Sequence, residues 1–550
     1  MAAYADLIFY NGNVYTVDED RSQAEAVAVA AGKILFVGSN KDAKQFENNE
    51  TEIVDLQGKM VLPGFFDSHT HASMGGVEAL FTVDLNNCES QQEAADAVKQ
   101  YMDNKPDAEI IIGVGWGNAI GTGIGPRKEV LDEIAPNVPV CLYSEDHHSA
   151  WVNSKALEIA EITAETVNPK GGVIERDPST GEPSGTLRES AMNLIEIADY
   201  TVEQYKKGIL AYQKMAAACG ITSAHEPFMK NGNVIKAYSE LEKEGKLTIR
   251  YRNSLYVDPE KGLEQVDELV AEREKHSGGT YFQTNSAKFF IDGVVEGATA
   301  YLEEPYEHID SLGELVWDPE IYKEAAARLH KERFTIHIHS IGDASTRISL
   351  DGLEYAESQD EPFDSRHAIT HLQLVNPEDI DRMKKLNVVA VPNPYWFMKE
   401  PSYYFDIEEP YLGKERAARQ YPMQSLIDAG IIAASASDYP VTMNFHPLNG
   451  IQLGVTRTEI GKSGEHLINN PAERTTLANM IESFTINGAY SVKLEQLTGS
   501  IEQGKKADLI VLDRNLFEVP EREINQAKVL LTLFEGKETY RDKDFIAVTS

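Results

Sequence analysis

Between residues 61 and 440 the chain alternates short apolar runs with longer amphipathic stretches. The runs span 61–67, leading to a strand end at His69, then 220–225, 247–257, 286–292, 334–340, 367–374, 388–392 and 432–438. Strands that alternate with helical segments form βα units, whose strands pair in parallel. Eight such units are the number that closes a (β/α)8 barrel. The predicted fold class is therefore α/β, a distorted TIM barrel over 61–72 and 201–489. The stretch 73–200 interrupts the first unit and has helices and turn-rich segments of its own. It reads as an inserted α/β subdomain covering the active site.

The two ends follow a different pattern. Residues 1–60 and 490–550 carry β-rich runs separated by Asn11-Gly12-Asn13, Ala31-Gly32-Lys33, Gln503-Gly504-Lys505 and Glu535-Gly536-Lys537. Such turns connect hairpins. Neither end holds enough strands for a sheet that is stable alone. One small β-sandwich assembled from both termini is the economical solution.

Hydrophobic residues make up 42% of the chain, enough for a substantial core and too many for a disordered polymer. The formal net charge is −37. Nucleic acid and anionic membranes repel such a surface, so neither is an expected partner. Cys88, Cys141 and Cys219 cannot build a disulfide framework, which fits a reducing cytoplasm. The first residues lack a basic, signal-like start, and no window approaches the ~20 apolar residues of a membrane span. The expectation is a cytoplasmic protein, with a homodimer as the default assembly.

In a (β/α)8 barrel the active site forms at the C-terminal ends of the strands. The first end carries His69-Thr70-His71. Residues two apart on a strand face the same way, so both imidazoles reach one point. The fourth run holds Lys288, the fifth His337 and His339, the sixth His371, and the eighth ends in Ser437-Asp438-Tyr439-Pro440. Singly, each has an ordinary explanation: a snorkelling lysine, a core histidine, a helix N-cap. Jointly, metal-competent side chains at one strand end after another point to a metal centre. The glycine-rich Gly113-Val114-Gly115-Trp116-Gly117 lacks the Lys-Ser/Thr of a phosphate cradle, so nucleotide binding is not expected.

The sequence resembles the amidohydrolase superfamily of metal-dependent hydrolases, and within it amidohydrolase family 3, the branch that includes N-substituted formamide deformylase. The resemblance spans nearly the whole chain. It rests on Leu62-Pro63-Gly64-Phe65-Phe66-Asp67-Ser68-His69-Thr70-His71, Trp151-Val152-Asn153-Ser154, and Gly171-Gly172 with Arg176-Asp177. It continues through Lys288-Phe289-Phe290-Ile291-Asp292-Gly293, His339-Ser340-Ile341-Gly342-Asp343, His371, Ser437-Asp438-Tyr439-Pro440 and the C-terminal 499–509. The metal ligands it implies are His69, His71, Lys288, His339, His371 and Asp438. His337 shares its face with His339, but the family pattern puts the ligand just before the Gly-Asp turn. His367, deeper in the barrel, reads as structural. Family members show Asp-Gly-His after the strand 140–143; here Asp146-His147-His148 stands. His148 matches the histidine while His147 replaces the glycine, which leaves the loop shape and a substrate role for His148 open.

An ammonium beside a divalent cation is repulsive and has no lone pair. In a two-metal site the resemblance implies that Lys288 carries a CO2-derived carbamate bridging both ions. In the alternative, Lys288 is unmodified and one metal rests on His69, His71 and Asp438. One or two divalent ions per chain are expected, zinc by default for histidine and carboxylate donors. The implied reaction is hydrolysis of a non-peptide C–N bond, in a small-molecule amide or N-substituted formamide. Metal-activated water attacks, with Asp438 as general base and then acid. His225, at the end of the second strand, is assigned to polarising the carbonyl, with orientation of a ligand as its alternative. Trp116, Asp146, Tyr395 and Trp396 are read as lining the substrate cleft. A deaminase or cyclic-amide hydrolase, a C–O hydrolase such as a lactonase, and a metal-free binding or regulatory barrel are the rivals. Lys288 weighs against a mononuclear deaminase, and a filled set of ligand positions weighs against the metal-free barrel.

Overall fold

The structure, a computed structural model, describes residues 4–106, 108–117, 120, 123–145, 149–169, 172–196, 199–230 and 232–545. It divides into two compact units, Met1–Ala72 with Tyr212–Ser550, and Ser73–Ala211. Among the described residues no helix is long and apolar enough to cross a membrane.

The first unit contains the predicted barrel sheet. Its strands are β1 (Phe65–Asp67), β2 (Ile221–Ala224), β3 (Arg250–Tyr256), β4 (Phe282–Phe290), β5 (Thr335–Ser340), β6 (Ala368–His371) and β7 (Val389–Pro392). All seven pair in parallel, each with its neighbour in sequence order. The register brings the chemistry-bearing residues level: Lys288 sits opposite His337, Phe290 opposite His339, and Ser340 opposite His371. These strands are buried on nearly every residue, as a parallel sheet covered on both faces requires.

The eighth run, 432–438, is not a regular strand. It makes one bridge, Ala390 to Ala433. Even so, it lies between β7 and β1 and bonds to both. On one side the Ala434 amide donates to the Ala390 carbonyl at 2.8 Å and the Ala436 amide to the Pro392 carbonyl at 3.0 Å. On the other, the Ser68 amide donates to the Ser435 carbonyl at 3.2 Å and the Asp438 amide to the His69 carbonyl at 2.8 Å. The ladder is broken because two of its amides go elsewhere, Ser435 N–H to the Ser483 carbonyl and Ser437 N–H to Asp67 Oδ1 at 2.9 Å. A side chain adds to this closure. Buried Asp67 also accepts from the Ser437 hydroxyl at 2.5 Å.

Of two further sheets, one combines strands from both termini and the other is N-terminal alone. The strand Met60–Pro63 runs antiparallel to Leu509–Leu512, pairing Val61 with Val511. A second sheet holds Leu7–Tyr10, Ala26–Ala30, Lys33–Gly38 and Glu52–Asp55. Phe9, Val27 and Val54 from this sheet share one buried cluster with Val14, Val61, Leu509, Val511 and Leu531 from the other. Gly64 then passes the chain from sandwich to barrel where any Cβ would collide with the Thr222 side chain, a physical reason for glycine in the Leu-Pro-Gly motif. The Ser73–Ala211 unit has its own six-stranded mixed sheet, packed around Leu85, Val98, Trp116, Leu142 and Trp151.

Arg250 of β3 ties the barrel to the C-terminal sheet. It is fully buried, and its guanidinium donates to Asp508 at 2.7 Å and Glu535 at 2.8 Å. Asp508 also accepts from the Thr498 hydroxyl and the Glu535 amide. Removing Asp508 leaves the buried guanidinium with Glu535 alone, a loss below the about 3–5 kcal/mol of a buried pair broken outright. Asp508→Ala is expected to lower the thermal midpoint and to expose amides of Leu509–Leu512 to hydrogen exchange. Unchanged protection there would show that the apolar cluster alone anchors the sheet.

Candidate metal centre

His69 and His71 leave the end of β1 two residues apart, and their Nε2 atoms lie 3.3 and 3.2 Å from one oxygen, Oδ1 of Asp438. Donor atoms of the three residues lie within 4.8 Å of one another. Asp438 Oδ1 is buried, and beyond these two imidazoles no donor among the described residues reaches it. Native proteins rarely leave a buried acceptor so. Two imidazole nitrogens and a carboxylate oxygen converging on one point are the donor set of a divalent cation, so these residues fit a metal.

The backbone is strained at two of the predicted ligands. His371 and Asp438 have φ of +74° and +59°, values that side-chain-bearing residues seldom adopt and that cluster at functional sites. For Asp438 the strain follows from the broken eighth strand, which turns its carboxylate back over His69 and His71. His371 is oriented by Asn393, whose Oδ1 lies 2.8 Å from its Nδ1. His339 stacks on Phe290 with ring centroids 3.8 Å apart and has Nε2 3.2 Å from the Gly293 carbonyl. The rings of His339 and His371 are 4.5 Å apart, and those of His69 and His371 5.2 Å.

Electrostatics keep this group in its ligating form. Burial holds His69 and His339 well below the ordinary histidine value and His371 at about 4, with Lys288 adding to the effect. Neutral imidazole is the form that binds metals. Burial also brings Lys288 down to about 7, with Asp438 partly opposing it. A lysine that loses its proton near neutrality gains the lone pair an ammonium lacks.

Behind the centre lies a layer that the sequence analysis named only as the ligand-orienting alternative for His225. His337 Nε2 is 2.8 Å from His69 Nδ1, so His337 sits behind His69 while His339 faces the cavity. The ring of His225 is 4.5 Å from that of His337, and its Nε2 is 2.7 Å from the Ser254 hydroxyl. Ser254 continues to Ser286, and Ser286 to the Asn253 carbonyl. His225 is thus a buried member of a polar chain beneath the ligands and is not among the described residues that line the cavity. The alternation of β5, with His337 and His339 on one face, was the signal for this layer. It could not say which ring faced the cavity.

Two aromatic expectations also change. Trp116 is buried in the core of the Ser73–Ala211 unit, its indole N–H donating to the Leu142 carbonyl at 2.7 Å. Tyr395 is buried with its hydroxyl on the Phe445 carbonyl at 2.8 Å. Both were expected at a cleft; each instead fills core volume, because its polar tip finds a backbone carbonyl inside. His367 bonds His330 and the Ile336 amide. Asp146 and His148 lie outside the described residues.

Above the centre opens a cavity of about 440 Å³. His69, His71, Lys288, His339, His371 and Asp438 line it together with Phe228, Phe290, Trp396, Met398, Tyr403 and Tyr421. The six ligands implied by resemblance thus meet on one surface. Supporting partners of metal-bound histidines are commonly worth 10–100-fold in metal affinity. His337→Phe is expected to weaken metal binding by that factor in a chelator competition. Unchanged affinity would mean that His69 needs no imidazole behind it.

The profile of the amidohydrolase family matches residues 52–540. A putative amidohydrolase of Bacillus subtilis, YtcJ, is 30% identical over 547 residues, 97% of this chain and 99% of the relative. The N-substituted formamide deformylase of Arthrobacter pascens is 28% identical over 559 residues, 98% of each chain. Among solved structures, an uncharacterized metal-dependent hydrolase from Pyrococcus furiosus superposes with a TM-score of 0.75 at 27% identity, covering 92% of this chain and 99% of that one. The chain belongs to the amidohydrolase family.

Proposed function

We propose that the protein hydrolyses a C–N bond in a small-molecule amide, of the N-substituted formamide type, at a two-metal centre. The observation that carries this reading is the convergence of His69, His71 and the buried Asp438 Oδ1 on the lining of a largely apolar cavity. The relative named N-substituted formamide deformylase, matched along its whole length, supports the substrate class. His69, His71 and Asp438 would hold one divalent ion, and His339 and His371 a second. Lys288 would join this ligand set as a carbamate, its neutral amine having added to CO2 and lost a proton. Zinc suits these donors.

When bound, the metal supplies Lewis acidity and a water made acidic enough to ionise near neutrality. The residues do the rest. Asp438 is held below the ordinary carboxylate range: burial pushes it up, but His71, His371 and Lys288 outweigh that. It is therefore an anion at neutral pH, able to take the proton of the attacking water and return it to the leaving nitrogen. The apolar walls exclude bulk water and seat the substituent on that nitrogen. A one-metal arrangement, suited to cyclic-amide hydrolysis or deamination, would rest on His69, His71 and Asp438, whose donor atoms already converge.

Elemental analysis of protein purified without chelator is expected to give about two metal ions per chain. About one would assign the mononuclear arrangement, and none, with no aryl formamide hydrolysis on adding zinc, would overturn the reading. His69→Ala is expected to lose most metal and activity together. Lys288→Ala is expected to lose metal and activity, with partial rescue by acetate; unchanged metal content would rule out a bridging carbamate.

A further inference from the structure

Gln373 follows His371 by two residues at the end of β6, and Tyr421 lies in the segment after β7. Both line the cavity although they are almost wholly buried, with 2% and 4% of their surfaces exposed. The Gln373 side-chain nitrogen donates to Glu408 Oε1 at 2.8 Å and to Gln420 Oε1. Gln420 fixes this direction, because its own Nε2 donates to the Ala417 carbonyl at 3.0 Å. Both amide hydrogens of Gln373 are thus engaged behind the cavity wall, and its side-chain carbonyl accepts from no described residue. The Tyr421 hydroxyl has no hydrogen-bond partner among the described residues either. Neither oxygen is sealed in the core, as the orphaned hydroxyls of Tyr15 and Tyr251 are. Each is left for a ligand in the cavity to meet.

The backbone goes to some length to present Tyr421. Its φ is +55°, a value that bulky residues seldom adopt and that clusters at ligand-binding sites. Its amide donates to the Gln373 main-chain carbonyl at 2.8 Å, so the two residues share one anchor. Arg457 is fully buried and has no ion-pair partner among the described residues. Its guanidinium donates instead to the carbonyls of Gln420 and Tyr421 at 3.0 Å each and of Asn469 at 2.6 Å, which holds the strained peptide in place. Phe397 braces the group, its ring centroid 5.3 Å from that of Tyr421 and 4.6 Å from the guanidinium carbon. The phenol keeps its proton, since burial, Glu408 and Glu296 hold it well above the ordinary tyrosine value.

The two oxygens require different partners. Gln373 offers only lone pairs, so it needs an N–H or O–H, whereas Tyr421 has a proton to donate. An ether or ketone leaves Gln373 unanswered, an ammonium leaves the Tyr421 proton unanswered, and a hydrocarbon leaves both. A neutral group that donates and accepts answers the pair. The scissile amide is not that group, because in the proposed reaction its carbonyl goes to the metal and its nitrogen to Asp438.

We infer that Gln373 and Tyr421 form a specificity subsite for a hydroxyl or carboxamide carried by the substituent on the scissile nitrogen. This rests on the amide-hydrolase reading for the position of the scissile bond. The two residues act on the substituent and take no part in bond cleavage.

The test uses the metal-loaded full chain and N-benzylformamides bearing methyl, hydroxymethyl, carboxamide, acetyl or aminomethyl at the 3- or 4-position, together with their methanesulfonamide counterparts, which hydroxide does not cleave. At one ring position the hydroxymethyl or carboxamide compound is expected to exceed the methyl compound about tenfold in kcat/KM, the difference lying in KM, while acetyl and aminomethyl gain no more than about threefold. Whichever of the two leads identifies the group as an alcohol or an amide. Calorimetric binding of the sulfonamides is expected to follow the same order. Tyr421→Phe, which removes one oxygen and leaves the ring, and Gln373→Met are each expected to cut the polar-to-methyl ratio about fivefold. A merely structural role, or contact with water alone, would leave that ratio unmoved and overturn the assignment. Sulfonamides that bind alike whatever their ring substituent, or a leading aminomethyl compound, would overturn it as well. Binding in the expected order without cleavage of any formamide would sink the amide reading and leave the subsite standing.

Discussion

The meeting of Asp438 with His69 and His71 is the constraint around which the barrel is arranged. A carboxylate and two imidazoles desolvated within 4.8 Å of one another are unfavourable without a compensating charge, because each loses water that its neighbours only partly replace. The fold holds them there by backbone bonds that cross the closure point. The Asp438 amide donates to the His69 carbonyl and the His71 amide to the Tyr439 carbonyl, so first strand and last segment cannot part without dismantling the group. Asp67, held by the Ser437 amide and hydroxyl, is the second tie across the same seam. Metal binding at this group would be coupled to barrel closure, since an ion that drew these donors together would also draw β1 toward 432–438.

The layer beneath extends this logic. Metal-bound histidines usually lean on a carboxylate or a carbonyl; here His69 leans on another histidine. A neutral partner adds no charge to a site that already holds Asp438 and, if carboxylated, an anionic Lys288. The polar chain from His225 through Ser254 and Ser286 ends on the Asn253 carbonyl, so its hydroxyls are satisfied without a buried charge. Fully satisfied networks of this kind fix one arrangement of a core, whereas a half-satisfied one would be the first place to loosen.

The strand ends were legible in the sequence because β-branched runs and the spacing of two in His69-Thr70-His71 carry geometry directly. Seven of the eight predicted runs are parallel strands in sequence order, and the six implied ligands line one cavity. The eighth run failed as a strand for a reason no pattern shows: its amides are claimed by Asp67 and the Ser483 carbonyl. Nor could spacing separate His337 from His339, since both project from one face and only the depth of each ring decides which meets the cavity. Trp116 and Tyr395 illustrate the opposite limit. An aromatic with a polar tip reads as a cleft wall from its neighbours, yet a single inward carbonyl is enough to make it core.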